Sequence, residues 1–225
     1  MKKVIFCLPG RNFSYQFMNS WTHLLLNCPS YRVLPAVSIA YSPVLYWVRD
    51  LCLGGNPEGS ASQKPFAGKQ DYDYLMWIDS DIIFDPWQFK TLLDQMEENK
   101  KYKILAGLYP LEDNRLAAHY LPEKENRYLT LEDVGKLGTK PFKVWYAGMG
   151  FMLVRRGVFE KLTYPWFYPV SYREKGGAKV LSADDASLCE RLRREAKIAT
   201  WVDPKVTVGH EKSMVLRASL KNNTQ

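Results

Sequence analysis

Five consecutive apolar residues, Tyr74 to Ile78 in the run YLMWI, lead straight into Asp79, Ser80 and Asp81. A strand with one wet face alternates apolar with polar residues, whereas an unbroken apolar run of this length fits a strand covered on both faces. Such a strand needs helices above and below it, and the surrounding sequence offers them. VIFCLP, ending at Pro9, reads as a first strand closed by a Pro-Gly turn, SYQFMNSWTHLLLN as an amphipathic helix, and RVLPAVSIA as extended. SPVLYWVRDLCL, with Ser42 as N-cap and Pro43 in the first turn, predicts a second helix, and Asp85 followed by Pro86 opens a third. KILAGLYP and KVWYAGMGFMLVRR read as strands, the latter bent at Gly148 and Gly150; SADDASLCERLRREAK reads as a helix and TWVDPKVTVGHE as a final strand. Strands alternating with helices predict an α/β fold around a mostly parallel sheet. Leu111 to Pro141 is polar and irregular with room for a hairpin, and Gly54 to Gln70 reads as a mobile loop. The expected organisation is one domain over residues 1–215 and a polar tail at 216–225.

Composition narrows the partners. At 225 residues, 46% apolar and 24% charged, the chain has the balance of a folded protein and needs no covalent staples. Its 31 basic and 24 acidic residues leave +7, which favours an anionic partner such as nucleic acid, acidic lipid or a phosphate-bearing ligand. No zinc spacing, arginine-rich arm or RNA-binding aromatic run accompanies that charge, so nucleic acid is not the expected partner. Cys7, Cys28, Cys52 and Cys189 show no paired spacing and read as reduced core thiols. The apolar run before Pro9 is too short for a signal peptide, and no stretch nears the ~18 residues that cross a bilayer. The expectation is a soluble, cytoplasmic chain, with peripheral membrane contact left open.

Ligands of a parallel sheet gather beyond the carboxyl ends of its strands, where Asp79 and Asp81 lie. Residues two apart on an extended chain share a side, so both carboxylates can face one point, where they repel unless a cation sits between them. Hard oxygen ligands suit Mg²⁺ or Mn²⁺, ions commonly shared with substrate phosphates. The alternative is a purely structural turn into the next helix.

YLMWIDSDIIF resembles the DxD segment of nucleotide-sugar-dependent glycosyltransferases with the GT-A fold, a Rossmann-like α/β architecture. WYAGMGFMLVRRGVFEKL, SADDASLCERLRREAKIATWVDP and VTVGHEK fit the same pattern in the same order, covering most of the chain. The resemblance implies a metal-dependent hexosyl- or deoxyhexosyltransferase that takes a UDP-sugar donor and a glycan or glycoconjugate acceptor, with Mn²⁺ or Mg²⁺ as cofactor. It places Asp81 as the firmest metal ligand, Asp79 on the metal and the ribose, and His210 as the late histidine of the metal shell. In an inverting reaction one of Asp184 and Asp185 becomes the general base, Asp185 first, and in a retaining one the same carboxylates orient the donor; the structural rival makes Ser182 and Asp185 a capping box.

Pro9, Gly10 and Arg11 are expected near the uracil and ribose, together with Ser80, and Arg49 and Lys212 near the diphosphate. Arg49 reads equally well as a solvated helix residue, because the family's ARN triplet is replaced here by WVRDL. Gly148 and Gly150 would floor the sugar site beside Trp145, and YPWFYPVSY is a candidate acceptor wall or core packing. The loop at Gly54 to Gln70 is a candidate lid over the donor. Two rival readings remain at this point: a haloacid-dehalogenase-type phosphotransferase with Asp79 as nucleophile, and a nonenzymatic nucleic-acid-binding module.

Overall fold

The structure, a computed structural model, describes residues 1–111, 115–119, 127–173 and 179–212. The tail expected at 216–225 and part of the irregular 111–141 stretch lie outside these.

In chain order the elements are β1 (Lys2–Pro9), α1 (Tyr15–Asn27), β2 (Val33–Ala40), α2 (Leu45–Cys52), β3 (Tyr74–Ile78), β4 (Ile82–Ile83), α3 (Pro86–Glu98) and β5 (Ile104–Leu108). There follow β6 (Arg115–His119), β7 (Tyr128–Thr130), α4 (Leu131–Leu137), β8 (Phe142–Val144), β9 (Tyr146–Ala147) and β10 (Phe151–Arg155). The last are β11 (Ser171–Arg173), β12 (Lys179–Leu181), α5 (Asp184–Arg191), β13 (Thr200–Thr207) and β14 (Gly209–His210).

A seven-stranded sheet in the order β2-β1-β3-β10-β5-β13-β8 forms the centre. Strands β1, β2, β3, β5 and β13 run one way, and β10 and β8 run against them, so the sheet is mixed and mostly parallel. All five residues of β3 are buried, as its unbroken apolar run requires. Their alternation survives in three dimensions: Leu75 and Trp77 join the core on one face, and Tyr74, Met76 and Ile78 the core on the other. Phe17, Trp21 and Leu24 of α1 and Phe89, Leu92 and Met96 of α3 cover the second face. Cys52 of α2, Leu188 of α5 and the buried Trp166 and Phe167 cover the first.

Helix boundaries follow their caps. Ser14 Oγ accepts the Phe17 N–H at 3.1 Å, and the Asp85 N–H donates to Gln88 Oε1 at 2.8 Å ahead of Pro86. The expected start of α2 is corrected: Ser42 Oγ accepts from Val44 N instead, and the helix begins at Leu45. The irregular stretch contains the anticipated hairpin, β6 with β7, and also α4, capped reciprocally by Thr130 and Asp133. The four cysteines are buried and unpaired, as expected. Among the described residues no helix is long and apolar enough to cross a membrane.

The candidate lid starts where the Cys52 carbonyl meets Cys7 and Ser38, in the carboxyl half of β1 and β2. The segment after α2 leads to the start of β3, at the end of the sheet opposite Asp79, where Asp71 pairs with Lys3 and Arg156. Gln63 closes this loop on itself through Asn56 and the Ser60 carbonyl.

Asp50, buried near the end of α2, ties that helix to the Trp166–Phe167 segment within the layer covering the first face. Its Oδ1 accepts the N–H groups of Trp166 and Phe167 at 3.1 and 3.2 Å, while Arg191 of α5 donates to the carbonyls of Thr163, Pro165 and Trp166. Replacing Asp50 by Ala leaves two buried donors unpaired and is expected to cost about 3 kcal/mol in denaturant unfolding. Burial pushes the Asp50 carboxyl up to about 7 from its ordinary 3.8. The folded chain therefore keeps a proton that the unfolded chain has released, and this contribution to stability is lost as pH rises from about 4 to about 7. Asp50→Asn retains an oxygen for both donors, so it should unfold like the parent at pH 4 and flatten that part of the decline.

Candidate active site

Asp79 and Asp81 occupy the turn between β3 and β4, closed by Ile82 N–H on the Asp79 carbonyl at 3.1 Å. The two-residue strand β4 pairs with β14, setting Ile82 opposite His210, and Glu211 N–H bonds the Asp81 carbonyl at 2.7 Å. This pairing carries the late histidine across 129 residues of sequence to Asp81, with His210 Nε2 3.0 Å from Asp81 Oδ2. His210 Nδ1 lies 2.8 Å from the carbonyl oxygen of Pro110. A carbonyl only accepts, so Nδ1 carries a proton, and Nε2 faces the carboxylate oxygen as a donor in the charged ring and as an acceptor in the neutral one. Two acceptors cannot rest 3.0 Å apart without a proton or a cation between them. Lys212 Nζ approaches the same Asp81 oxygen at 3.4 Å.

Arg49 sits beneath this turn, 3% exposed. Its Nη1 and Nη2 donate to the two oxygens of Asp79 at 2.6 and 3.0 Å, and its Nε donates to Asp184 Oδ2 at 2.9 Å. Its guanidinium also lies 5.5 Å from the ring centre of Trp77. Burial opposes its charge, but the Asp79 and Asp184 carboxylates outweigh burial and hold its pKa above the ordinary value. The sequence placed Arg49 against donor diphosphate or in solvent. The structure makes it an interior bridge between the β3–β4 turn and the head of α5, with its Nε, Nη1 and Nη2 committed to carboxylates.

Asp184, buried on that bridge, stands beside Asp185, whose carboxyl is pushed up to about 7 by burial and by the Asp184 charge. The capping-box alternative fails, because α5 is capped at Ala183 without a side-chain bond. Ser182 is instead held through its backbone, its N–H on the Val170 carbonyl at 2.9 Å and its carbonyl accepting Tyr46 Oη at 2.5 Å. Asp185 Oδ1 accepts only the adjacent Ala186 N–H at 2.7 Å among the described contacts.

The loop after β1 meets this site through Gly10, which adopts φ +146° and lies so near Ser80 that a Cβ would stand 3.0 Å from Ser80 Cβ and Oγ. Pro9, at the end of β1, therefore adjoins the DxD turn. On the opposite wall, Gly148 and Gly150 give passage to Tyr109, a residue that motif reading overlooked. A Cβ on Gly148 would lie 2.0 Å from Tyr109 Oη, and Gly150 N–H points to the same oxygen at 3.4 Å. The Tyr109 ring packs edge-on against His210 at 5.1 Å, and burial with the Asp79 and Asp185 charges raises its pKa well above the ordinary value. The glycines and the apolar LYP run were visible in sequence; that one fills the space left by the other was not.

No protein-family model and no curated protein sequence matches the chain. Solved structures do. The crystal structure of A197 from STIV aligns over 99% of this chain and 100% of its own length, at 15% identity and a TM-score of 0.52. The structure of GalNAc-T7 with UDP, GalNAc and Mn²⁺ aligns over 93% of this chain at 10% identity and a TM-score of 0.57; the chain spans 43% of that protein. The chain has the GT-A fold.

On a GT-A sheet the remaining expected residues fall unevenly. Arg11 is exposed and stacks over Tyr41 at 4.8 Å, near Gly10 but turned toward β2. Trp145 is not free for sugar stacking on both faces, since the Arg193 guanidinium lies 3.4 Å from its ring centre. Of the aromatic run, Trp166 and Phe167 are core, and Tyr168 remains exposed. Asp79, the nucleophile of the phosphotransferase reading, has both oxygens held by Arg49, and the GT-A fold removes the basis of that reading.

Among the described residues no three metal-ligating side chains converge. Two do. Ligands on adjacent corners of an octahedron, each about 2.1 Å from an ion, stand about 3 Å apart. The Asp81–His210 spacing fits that requirement, and a backbone carbonyl on the far ring nitrogen is the usual support of a metal-bound histidine.

Gly148→Ala is expected to destabilise the GT-A core by about 2 kcal/mol, because Tyr109 has no free space to enter. Adding Tyr109→Phe should recover part of the loss, since the ring carbon still lies 2.7 Å from the new methyl. Equal unfolding midpoints for Gly148→Ala and the parent would contradict this packing.

Proposed function

We propose that the chain is a metal-dependent glycosyltransferase that moves a hexosyl or deoxyhexosyl group from a UDP-sugar to a hydroxyl of a glycan or glycoconjugate. The observation that carries this reading is His210 Nε2 standing 3.0 Å from Asp81 Oδ2, at the carboxyl rim of a GT-A sheet. The GalNAc-T7 structure, with UDP, GalNAc and Mn²⁺, supplies the analogy for the ligands.

Asp81 and His210 would hold Mn²⁺ or Mg²⁺, with the Arg49-bound carboxylate of Asp79 beside them toward the ribose. A cation there supplies charge stabilisation to the departing diphosphate. Lys212, half-exposed next to Asp81, adds a mobile positive charge for the same phosphates. Pro9, Gly10 and Ser80 line the nucleoside end, with Arg11 at its margin, and Gly148 forms the floor under the sugar by admitting Tyr109.

Asp185 is the general base. It accepts the proton of the acceptor hydroxyl as that oxygen attacks the anomeric carbon, and the bond from that carbon to the diphosphate breaks, its electron pair leaving with UDP. Asp184 assists indirectly: locked on Arg49, its charge keeps the neighbouring carboxyl a base of near-neutral strength.

Two outcomes follow. A panel of nucleotide sugars assayed with Mn²⁺ and an acceptor mixture should yield UDP release from one donor class; no turnover of any UDP-sugar would refute the reading. With that donor, kcat should rise with pH through about 7 and level above it, as Asp185 ionises. Asp185→Asn should lower kcat by about 10²- to 10⁴-fold while UDP binds as in the parent.

A further inference from the structure

The outer surface of the first third of the chain differs in chemistry from the rest. No Asp or Glu precedes Asp50; of the five basic residues there, Arg49 is buried on Asp79 and Asp184, Lys2 and Lys3 pair with Glu97 and Asp71, and Arg11 and Arg32 are exposed. Asp50 itself is buried. Within this region, Val33 to Val48 contain no charged residue at all. They form β2, an edge of the main sheet, and the turn into α2.

An exposed edge strand without charges is a surface that needs a partner. Val37, Ile39, Tyr41, Val44, Leu45 and Trp47 are each between 39% and 60% exposed along this edge. The strip wraps the edge: Val37 and Ile39 lie on the face of Phe6 and Leu8, and Leu45 and Trp47 on α2, which packs on the other face. Exposed basic residues stand at both ends of the strip: Arg32 precedes β2, and Arg11 stacks on Tyr41 at 4.8 Å.

We propose that this strip docks on an anionic lipid bilayer. Aliphatic side chains with a Trp and a Tyr suit the boundary between acyl chains and head groups, and flanking arginines with no acidic neighbour in the strip suit acidic head groups. A second copy of the chain fits less well. Its equivalent edge carries the same positive flanks, and Pro35 removes a backbone donor from the ladder that two such edges would form. Nucleic acid also fits less well, because the aliphatic row between the two arginines would be left against a polar, charged backbone. The strip ends at the site's rim, where Ala40 accepts the Gly10 N–H at 2.9 Å and Gly10 abuts Ser80. A bilayer bound there would bring lipid-borne acceptors next to the candidate active site.

The lipid contact needs neither donor nor turnover, so its test is independent of the transferase reading. In flotation assays the full chain should bind vesicles of phosphatidylcholine mixed with phosphatidylglycerol, bind pure phosphatidylcholine much less, and release as salt rises. The double variant Ile39→Asp, Trp47→Asp should lose about tenfold or more in vesicle affinity with an unchanged melting temperature. Trp87→Asp, at a half-exposed Trp on α3, should bind as the parent does. Absence of vesicle binding, equal binding to neutral vesicles, or an equal loss in Trp87→Asp would overturn the proposal. So would a concentration-dependent dimer that Ile39→Asp dissociates, which would assign the strip to a second copy.

Discussion

A single buried guanidinium holds the candidate site in register. Arg49 reaches Asp79 on the β3 turn and Asp184 at the head of α5, residues 30 and 135 positions away. These segments lie on the side of the sheet covered by α2 and α5 and occupied by Trp77, and both bring carboxylates to one rim. Without a cation among them, their charges would repel in a region shielded from water. Taking away one partner of a buried ion pair commonly costs 3–5 kcal/mol, because the remaining charge is stranded. The bridge therefore constrains the rim more tightly than its hydrogen bonds alone would.

The same bridge divides four carboxylates into two kinds. Asp79 and Asp184 have their charge balanced from beneath. Asp81 and Asp185 lie outside the guanidinium's hydrogen bonds, one against the imidazole of His210 and the other with a carboxyl held up near neutrality. A DxD motif thus has a structural first residue and an open second one. Tyr109 completes the frame by packing against His210 from below while filling the space that Gly148 and Gly150 leave. Rigid support under exposed polar groups is the usual arrangement for a site that must meet a charged ligand without rearranging.

Much of this was legible in sequence wherever the signal was local. The unbroken run at Tyr74 to Ile78 marked the central strand, and Asp85 with Pro86 marked the start of α3. The same kind of signal misled at Ser182 and Asp185, which have capping-box spacing, because backbone bonds to Tyr46 and Val170 fix Ser182 and shift the cap to Ala183. Thr130 and Asp133 have that spacing too and do cap α4, within a stretch read as irregular. Long-range pairing was not legible. Val48, Arg49 and Asp50 are buried consecutively, a pattern without helical period, and nothing near Arg49 announces a partner on α5. The loop after α2 was legible only as a loop: it starts beside Cys7 and Ser38, in the carboxyl half of the strands, and runs down to Asp71 at their start.

The central claim is that the Asp81–His210 pair binds a divalent cation as part of nucleotide recognition. Calorimetric titration of UDP into the chain, first with Mn²⁺ and then with the metal chelated, tests it most directly. Single-site binding in Mn²⁺ that becomes unmeasurable in chelator is the predicted result. UDP binding of equal strength in both conditions would contradict the claim.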